Sequence, residues 1–205
     1  MIGIVDYGLG NIHSVVNSLE YLGLETLILN NKTNIDKIDR VILPGVGAFA
    51  KAMANIAERD LFDVINRVVE RRYPVLGICL GMQILATKGF EVTEYKGLGL
   101  IEGTVDLIKC PESYRLPHVG WNSLDIIQEH PILENISRAT DFYFVHSYAF
   151  EPATSKNVIA TTDYGVKVPA IVGDGNIIGV QFHPEKSQKA GLKLLSNFSK
   201  WKVHD

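Results

Sequence analysis

A cysteine framed by glycines is the clearest chemical signal in this chain: Gly77-Ile78-Cys79-Leu80-Gly81 follows the apolar run Val75-Leu76 and precedes Met82-Gln83-Ile84-Leu85. The spacing is that of a nucleophile elbow with sulfur in place of the serine oxygen. Small neighbours there allow a tight strand-to-helix turn that pushes the reactive atom outward. The helix predicted to start at once after Cys79 would direct the positive end of its dipole at the sulfur and favour thiolate. Far downstream, Gln181-Phe182-His183-Pro184-Glu185 offers an imidazole and a carboxylate. These follow a predicted strand, Ile177 to Phe182, and a backbone that stays extended would present positions 183 and 185 on the same side. Cys79, His183 and Glu185 then read as nucleophile, base and the group that orients the base. Taken singly, each has a plainer reading: a buried thiol, a capping or surface histidine, and a glutamate that opens the last helix.

Other segments have weaker signals. Pro44-Gly45-Val46-Gly47-Ala48-Phe49 lies between a strand and a helix, so its amides either point into a site as anion donors or form an ordinary glycine loop. Asp6-Tyr7-Gly8-Leu9-Gly10-Asn11 looks like a phosphate-binding turn, but it lacks the third glycine and the lysine, which argues against a nucleotide there. His146 lies in the apolar run Tyr143-Phe144-Val145-His146-Ser147-Tyr148 and reads as a core histidine or as a ligand. Cys110 has no base pattern near it, and His13, His118, His130 and His204 show no metal-ligand spacing. Neither metal nor cofactor is implied.

The elements that must position these residues follow from periodicity. Ile2 to Val5, Thr26 to Leu29 and Val41 to Leu43 read as strands. Ile12, Val15, Val16, Leu19 and Leu22 form one helical stripe; Leu61, Phe62, Ile65, Val68 and Val69 form another. Alternation of strand and helix predicts an α/β fold with an open, mostly parallel, flavodoxin-like sheet covered by helices on both faces. Beyond about residue 100 the pattern turns β-rich, with strands over Gly103 to Ile108, Asp141 to Phe150, Val158 to Thr162, Pro169 to Val172 and Ile177 to Phe182. A closing helix carries Leu194, Leu195, Phe198 and Trp201 on one stripe. In such sheets ligands bind beyond the C-terminal ends of the strands, where all four motifs fall.

With 205 residues, 46% apolar and 21% charged, the chain reads as one domain spanning 1–205 with a sizeable core. A net charge of −3 without blocks of like sign gives no reason to expect nucleic acid or an anionic membrane as partner. No apolar run approaches a membrane span, and Met1 to Asp6 lacks a basic n-region, so it reads as a first strand rather than a signal peptide. A cysteine tied into a disulfide at the elbow would be inert, so Cys79 and Cys110 point to a reducing cytoplasm.

These motifs, with Pro117-His118-Val119-Gly120-Trp121-Asn122, together resemble the class I (triad) glutamine amidotransferases over nearly the whole chain. Within that class, the Pro-His-x-Gly-Trp-Asn and Val-His-Ser-Tyr segments resemble the glutaminase subunits of imidazole glycerol phosphate synthase. The resemblance implies a triad of Cys79, His183 and Glu185 that hydrolyses the side-chain amide of glutamine. It also implies an oxyanion hole from Gly45, Val46 and the Leu80 amide, with Gln83, Glu91, His146 and Ser147 holding glutamine. The implied partner is a (βα)₈-barrel cyclase that takes the ammonia, meeting this chain at a surface including Asn11, Trp121 and Lys186. Between Lys88 and Gly97 the sequence departs from the family's serine-, glutamate- and glycine-rich loop, although Glu91 keeps its spacing from Cys79. That departure leaves open a paralogue supplying ammonia for amidation of a bacterial surface sugar. A free-standing cysteine hydrolase and a silent flavodoxin-like interaction module are the remaining readings.

Overall fold

In the computed structural model, which describes residues 1–31, 33 and 35–203, an eight-stranded sheet organises the chain. Its strands run in the order Thr26–Leu29, Ile2–Val5, Arg40–Gly45, Val75–Cys79, Ile177–Val180, Lys167–Asp174, Val158–Asp163 and Asp125–Ile126. The first five are mutually parallel and the last three pair antiparallel. Every residue of Ile2–Val5, Val75–Cys79 and Ile177–Val180 is buried, which explains why these strands read as unbroken apolar runs rather than alternating ones.

Helices cover both faces. Phe49–Glu58 and Phe62–Glu70 pack one face through Phe49, Met53, Ile56, Val64, Ile65 and Val68. Ile12–Tyr21 and Gln188–Lys200 pack the other through Val15, Leu19, Leu194, Leu195 and Phe198, with Trp201 as the C-cap of the closing helix. Asn11 starts the first helix, its Oδ1 accepting from the Ser14 amide at 3.3 Å. An antiparallel ribbon, His118–Ser123 with Asp141–His146, stands beside the main sheet. A small sheet is built from Tyr148–Pro152, Gly103–Leu107, Lys88–Gly89 and Tyr95–Lys96.

Four expectations need correcting. The helix after Cys79 is a single turn, Leu80–Gln83. It stops because the carbonyls of Ile84, Leu85 and Ala86 are taken by the amides of Leu98, Leu100, Ile101 and Gly99 instead of by a further helical turn. The dipole argument for thiolate loses its basis with it. The run Asp141 to Phe150 is two strands that part at Ser147 into different sheets. Phe62 is 39% exposed and Val64 takes its place on the buried stripe. The last parallel strand ends at Val180, not Phe182. His204 lies outside the described residues.

Candidate active site

Backbone shape at Cys79 sets up the site. Its φ of 54° and ψ of −110° lie where L-residues rarely go. Such strain in a non-glycine residue persists only where surroundings impose it, and it clusters at functional sites. The two flanking glycines are steric necessities. A Cβ on Gly77 would stand 2.6 Å from the Gly81 carbonyl oxygen, and one on Gly81 would overlap the carbonyl of Leu43 on the adjacent strand.

The strand Ile177–Val180 lies next to Val75–Cys79 with Val180 opposite Ile78, so the chain just beyond it arrives beside the sulfur. Two hydrogen bonds fix His183 there: its amide donates to Tyr143 O at 2.9 Å and its carbonyl accepts from Ser187 Oγ at 2.6 Å. His183 and Glu185 meet because Pro184–Lys186 is a 3₁₀ turn that folds the carboxylate back, not because the strand continues. His183 Nδ1 and Glu185 Oε1 are 2.7 Å apart, with both side chains about 2% exposed. His183 Nε2 is buried and makes no hydrogen bond, so it is the ring nitrogen left free for a nucleophile–base pair that tightens on substrate.

Electrostatics separate this histidine from its neighbours. Burial lowers His118 and His146 to about 4. Burial also pulls His183 down, but its interactions with Cys79 and with the Glu185 carboxylate on Nδ1 lift it to about 9. At neutral pH His183 is therefore an imidazolium, carrying the proton that a departing amine requires.

A cavity of about 300 Å³ opens on the sulfur, small enough for an amino acid. Val46, Cys79, Leu80, Gln83, Glu91, His146, Ser147 and His183 all line it. A larger hollow of about 560 Å³ beside His130 and Leu133 is lined by no cysteine, serine or threonine. Gly45 pairs with Cys79 across neighbouring strands, so the Gly45-Val46-Gly47 turn stands directly beside the sulfur; Gly47 has a φ of 110°. Glu185 sits behind His183, outside the cavity.

Several expected residues have duties that sequence did not reveal. Glu91 Oε2 accepts from the Phe49 amide at 2.7 Å, capping a helix whose own N-cap, Ala48, has no capping side chain. His146 has no free ring nitrogen: Nδ1 lies 2.9 Å from Tyr148 O and Nε2 lies 3.0 Å from His118 Nδ1. A carbonyl only accepts, so His146 carries its proton on Nδ1 and receives one from His118. Gln83 Nε2 donates to Tyr148 O at 3.0 Å and to Gln181 Oε1 at 3.1 Å. Trp121 and Lys186 are both exposed and converge on the Tyr143 ring, each about 5.9 Å from it, and Asn11 heads the helix that packs against Pro184–Lys186.

Missed altogether were Gln181 and Tyr7. The Gln181 Nε2 lies 3.7 Å from Cys79 Sγ. The buried Tyr7 hydroxyl has no partner, and burial, with the charge at Cys79 adding to it, pushes its ionisation far above the ordinary value. In the Asp6–Asn11 turn, Asp6 Oδ1 accepts from the Gly8 amide at 2.8 Å and faces Arg59 at 3.4 Å, so the protein's own groups fill the turn. Among the described residues no group of three or more His, Cys, Asp or Glu side chains is placed to hold a metal, and no helix is long and apolar enough to cross a membrane.

The family model for glutamine amidotransferase class-I matches residues 3–201. The chain belongs to that family. It is 46% identical over 198 residues to the imidazole glycerol phosphate synthase subunit HisH of Bacillus cereus, covering 97% of this chain and 93% of the relative. The Bacillus thuringiensis subunit of the same name is 45% identical over the same shares. Among solved structures, PurLQS from Thermotoga maritima superposes with a TM-score of 0.76 at 20% identity, covering 97% of each chain. A crystal structure described as a glutamine amidotransferase gives 0.74 at 20% identity, covering 97% of this chain and 98% of that one. At that identity the likeness concerns fold alone.

Proposed function

We propose that this amidotransferase is the glutaminase subunit of an imidazole glycerol phosphate synthase, working in histidine biosynthesis, and that residues 1–205 act as one domain. The observation that carries the reading is the convergence of a strained cysteine, a buried histidine and a buried carboxylate at the C-terminal ends of two adjacent parallel strands. The full-length similarity to curated subunits of that synthase supports the choice within the family.

In the proposed reaction, Cys79 thiolate attacks the side-chain carbonyl carbon of glutamine, and amides of the Gly45–Val46 turn and Leu80 hold the oxyanion. The His183 imidazolium gives its proton to the departing nitrogen as the C–N bond breaks, leaving a thioester and ammonia. Neutral His183 then takes a proton from water, whose oxygen attacks the thioester. Glutamate leaves and the sulfur is regenerated. Glu185 holds the imidazole tautomer and stabilises its charge throughout. Glutamine sits in the 300 Å³ cavity against Gln83, Glu91, His146 and Ser147.

Ammonia released into water is lost to synthesis, so the site needs a partner that receives it. We assign that role to a (βα)₈-barrel cyclase docking on the face with Asn11, Trp121 and Lys186. Exposed Val119 and Trp121, on the same side of their strand, give that face an apolar character. Two free cysteines accord with a cytoplasmic setting.

The test is reconstitution with such a cyclase. Cys79→Ala should abolish glutamine-driven synthesis and leave ammonium-driven synthesis intact. If the wild-type chain gives no partner-dependent glutamate release, the reading fails.

A further inference from the structure

A buried hydrogen-bond path reaches the sulfur from the side away from His183, and its polarity is fixed at one end. The Tyr148 carbonyl oxygen can only accept, so the Gln83 side-chain atom 3.0 Å from it must be nitrogen. The second hydrogen of that nitrogen points at Gln181, so the Gln181 atom 3.1 Å away must be oxygen. The remaining arm of the Gln181 amide, its NH₂, then faces Cys79 Sγ at 3.7 Å. Nothing else decides the direction of that amide. Gln181 has no solvent exposure and Gln83 is 7% exposed, so water cannot readily substitute for either contact. The Gln181 backbone is anchored as well, its amide donating to Ala170 O at 2.9 Å.

We infer that Gln181 is a catalytic residue that donates a hydrogen bond to the Cys79 thiolate, with Gln83 and the Tyr148 carbonyl as the positioning groups that keep a donor aimed at the sulfur. The inference rests on the proposed role of Cys79 as nucleophile and extends it. Cys79 stands on a one-turn helix, so a thiolate there gains little from a helix dipole. A side-chain donor supplies part of what the helix does not. A reversed amide would aim a carbonyl oxygen at the sulfur and repel the charged form, so the lock through Gln83 matters as much as the contact itself.

The test reads the thiol directly in the isolated chain, without glutamine or a partner. In a Cys110→Ser background, the rate of Cys79 alkylation by iodoacetamide is followed against pH. Gln181→Met keeps the bulk and removes the donor. It should raise the pH midpoint by about one unit, making alkylation about tenfold slower below the midpoint. Gln181→Glu replaces the donor with a carboxylate and should move the midpoint further. The other titratable groups facing the sulfur or its cavity, His183, Glu185, Tyr7, Glu91 and His146, are unchanged in these variants. Gln83→Met leaves Gln181 in place but unlocks its amide, and should give a smaller shift in the same direction. It carries the test if the Gln181 variants do not fold. A wild-type midpoint in the folded variants overturns the inference. A shifted profile in the Gln181 variants, together with no partner-dependent glutamate release by the wild-type chain, would instead count against the functional reading alone.

Discussion

Replacing Glu185 with Gln should move the alkaline limb of glutamine hydrolysis to lower pH, and the molecule contains its own reference for how far. His146 is buried without a carboxylate partner and sits at about 4, whereas His183, paired with Glu185 and Cys79, sits at about 9. The difference, 9 − 4 = 5 pH units, is an upper bound on what Cys79 and Glu185 supply against burial, because His146 is also lowered by the charges of His118 and His183. If they share it equally, removing the Glu185 charge lowers His183 by about 2–3 units, to roughly 6.5. At pH 8 the imidazolium fraction then falls from about nine-tenths to about three-hundredths, a loss of roughly thirtyfold before any penalty from a wrong tautomer. The sign follows from the role: the imidazolium donates the proton, so activity falls as pH passes its pKa. The assay is kcat/KM for glutamate release by the reconstituted complex from about pH 6 to 10. Identical alkaline limbs in wild type and Glu185→Gln would refute the assignment.

Further expectations concern the elbow and the histidines. Cys79→Gly should unfold at higher denaturant than Cys79→Ala, by about 1–3 kcal/mol, because only glycine relaxes at a φ of 54°; the reverse order would show that no strain is held there. Gly81→Ala meets the backbone carbonyl of Leu43 and has no rotamer escape, so it should cost more than about 4 kcal/mol; a wild-type urea midpoint contradicts this. Stability should peak near neutral pH. His183, raised to about 9, stabilises fully below its unfolded value of about 6.5 and loses that contribution as pH climbs toward 9. His118, His130 and His146, lowered to about 4, stabilise above about 6.5 and lose that contribution as pH falls toward 4. Thermal melts of Glu185→Gln should flatten the alkaline side only, and an unchanged slope there would remove His183 from this account.

Legibility of the sequence tracked how local each cause was. The elbow was readable because its glycines flank the cysteine within five residues and Gly77 answers to the Gly81 carbonyl, although Gly81 itself answers to Leu43 on the next strand; the helix Ile12–Tyr21 was readable because its stripe is periodic. The length of the helix after Cys79 was not, since competition from the amides of residues 98–101 ends it. His183 and Glu185 were paired correctly for the wrong geometric reason: alternation was invoked where a 3₁₀ turn does the work. The split at Ser147 was hidden because both halves are strongly apolar. Glu91 as a helix cap, Gln181 against the sulfur and the unpartnered Tyr7 hydroxyl depend on contacts between distant segments, which leave no periodic trace.

The position of Ile177–Val180 within the sheet has a consequence for how the protein is made. This late strand inserts between Val75–Cys79 and Lys167–Asp174. A ribosome finishes the strand of Cys79 long before it begins the one that leads into Gln181, His183 and Glu185. During that interval the nascent chain has an unpaired backbone edge along Val75–Cys79, the kind of edge that recruits wrong partners. It also has a thiol with neither its base nor its amide donor. On the proposed roles of Cys79 and His183, closing the edge and arming the sulfur are one event: an incomplete chain should be inert toward glutamine, and the step that brings the base to the sulfur also closes the exposed edge.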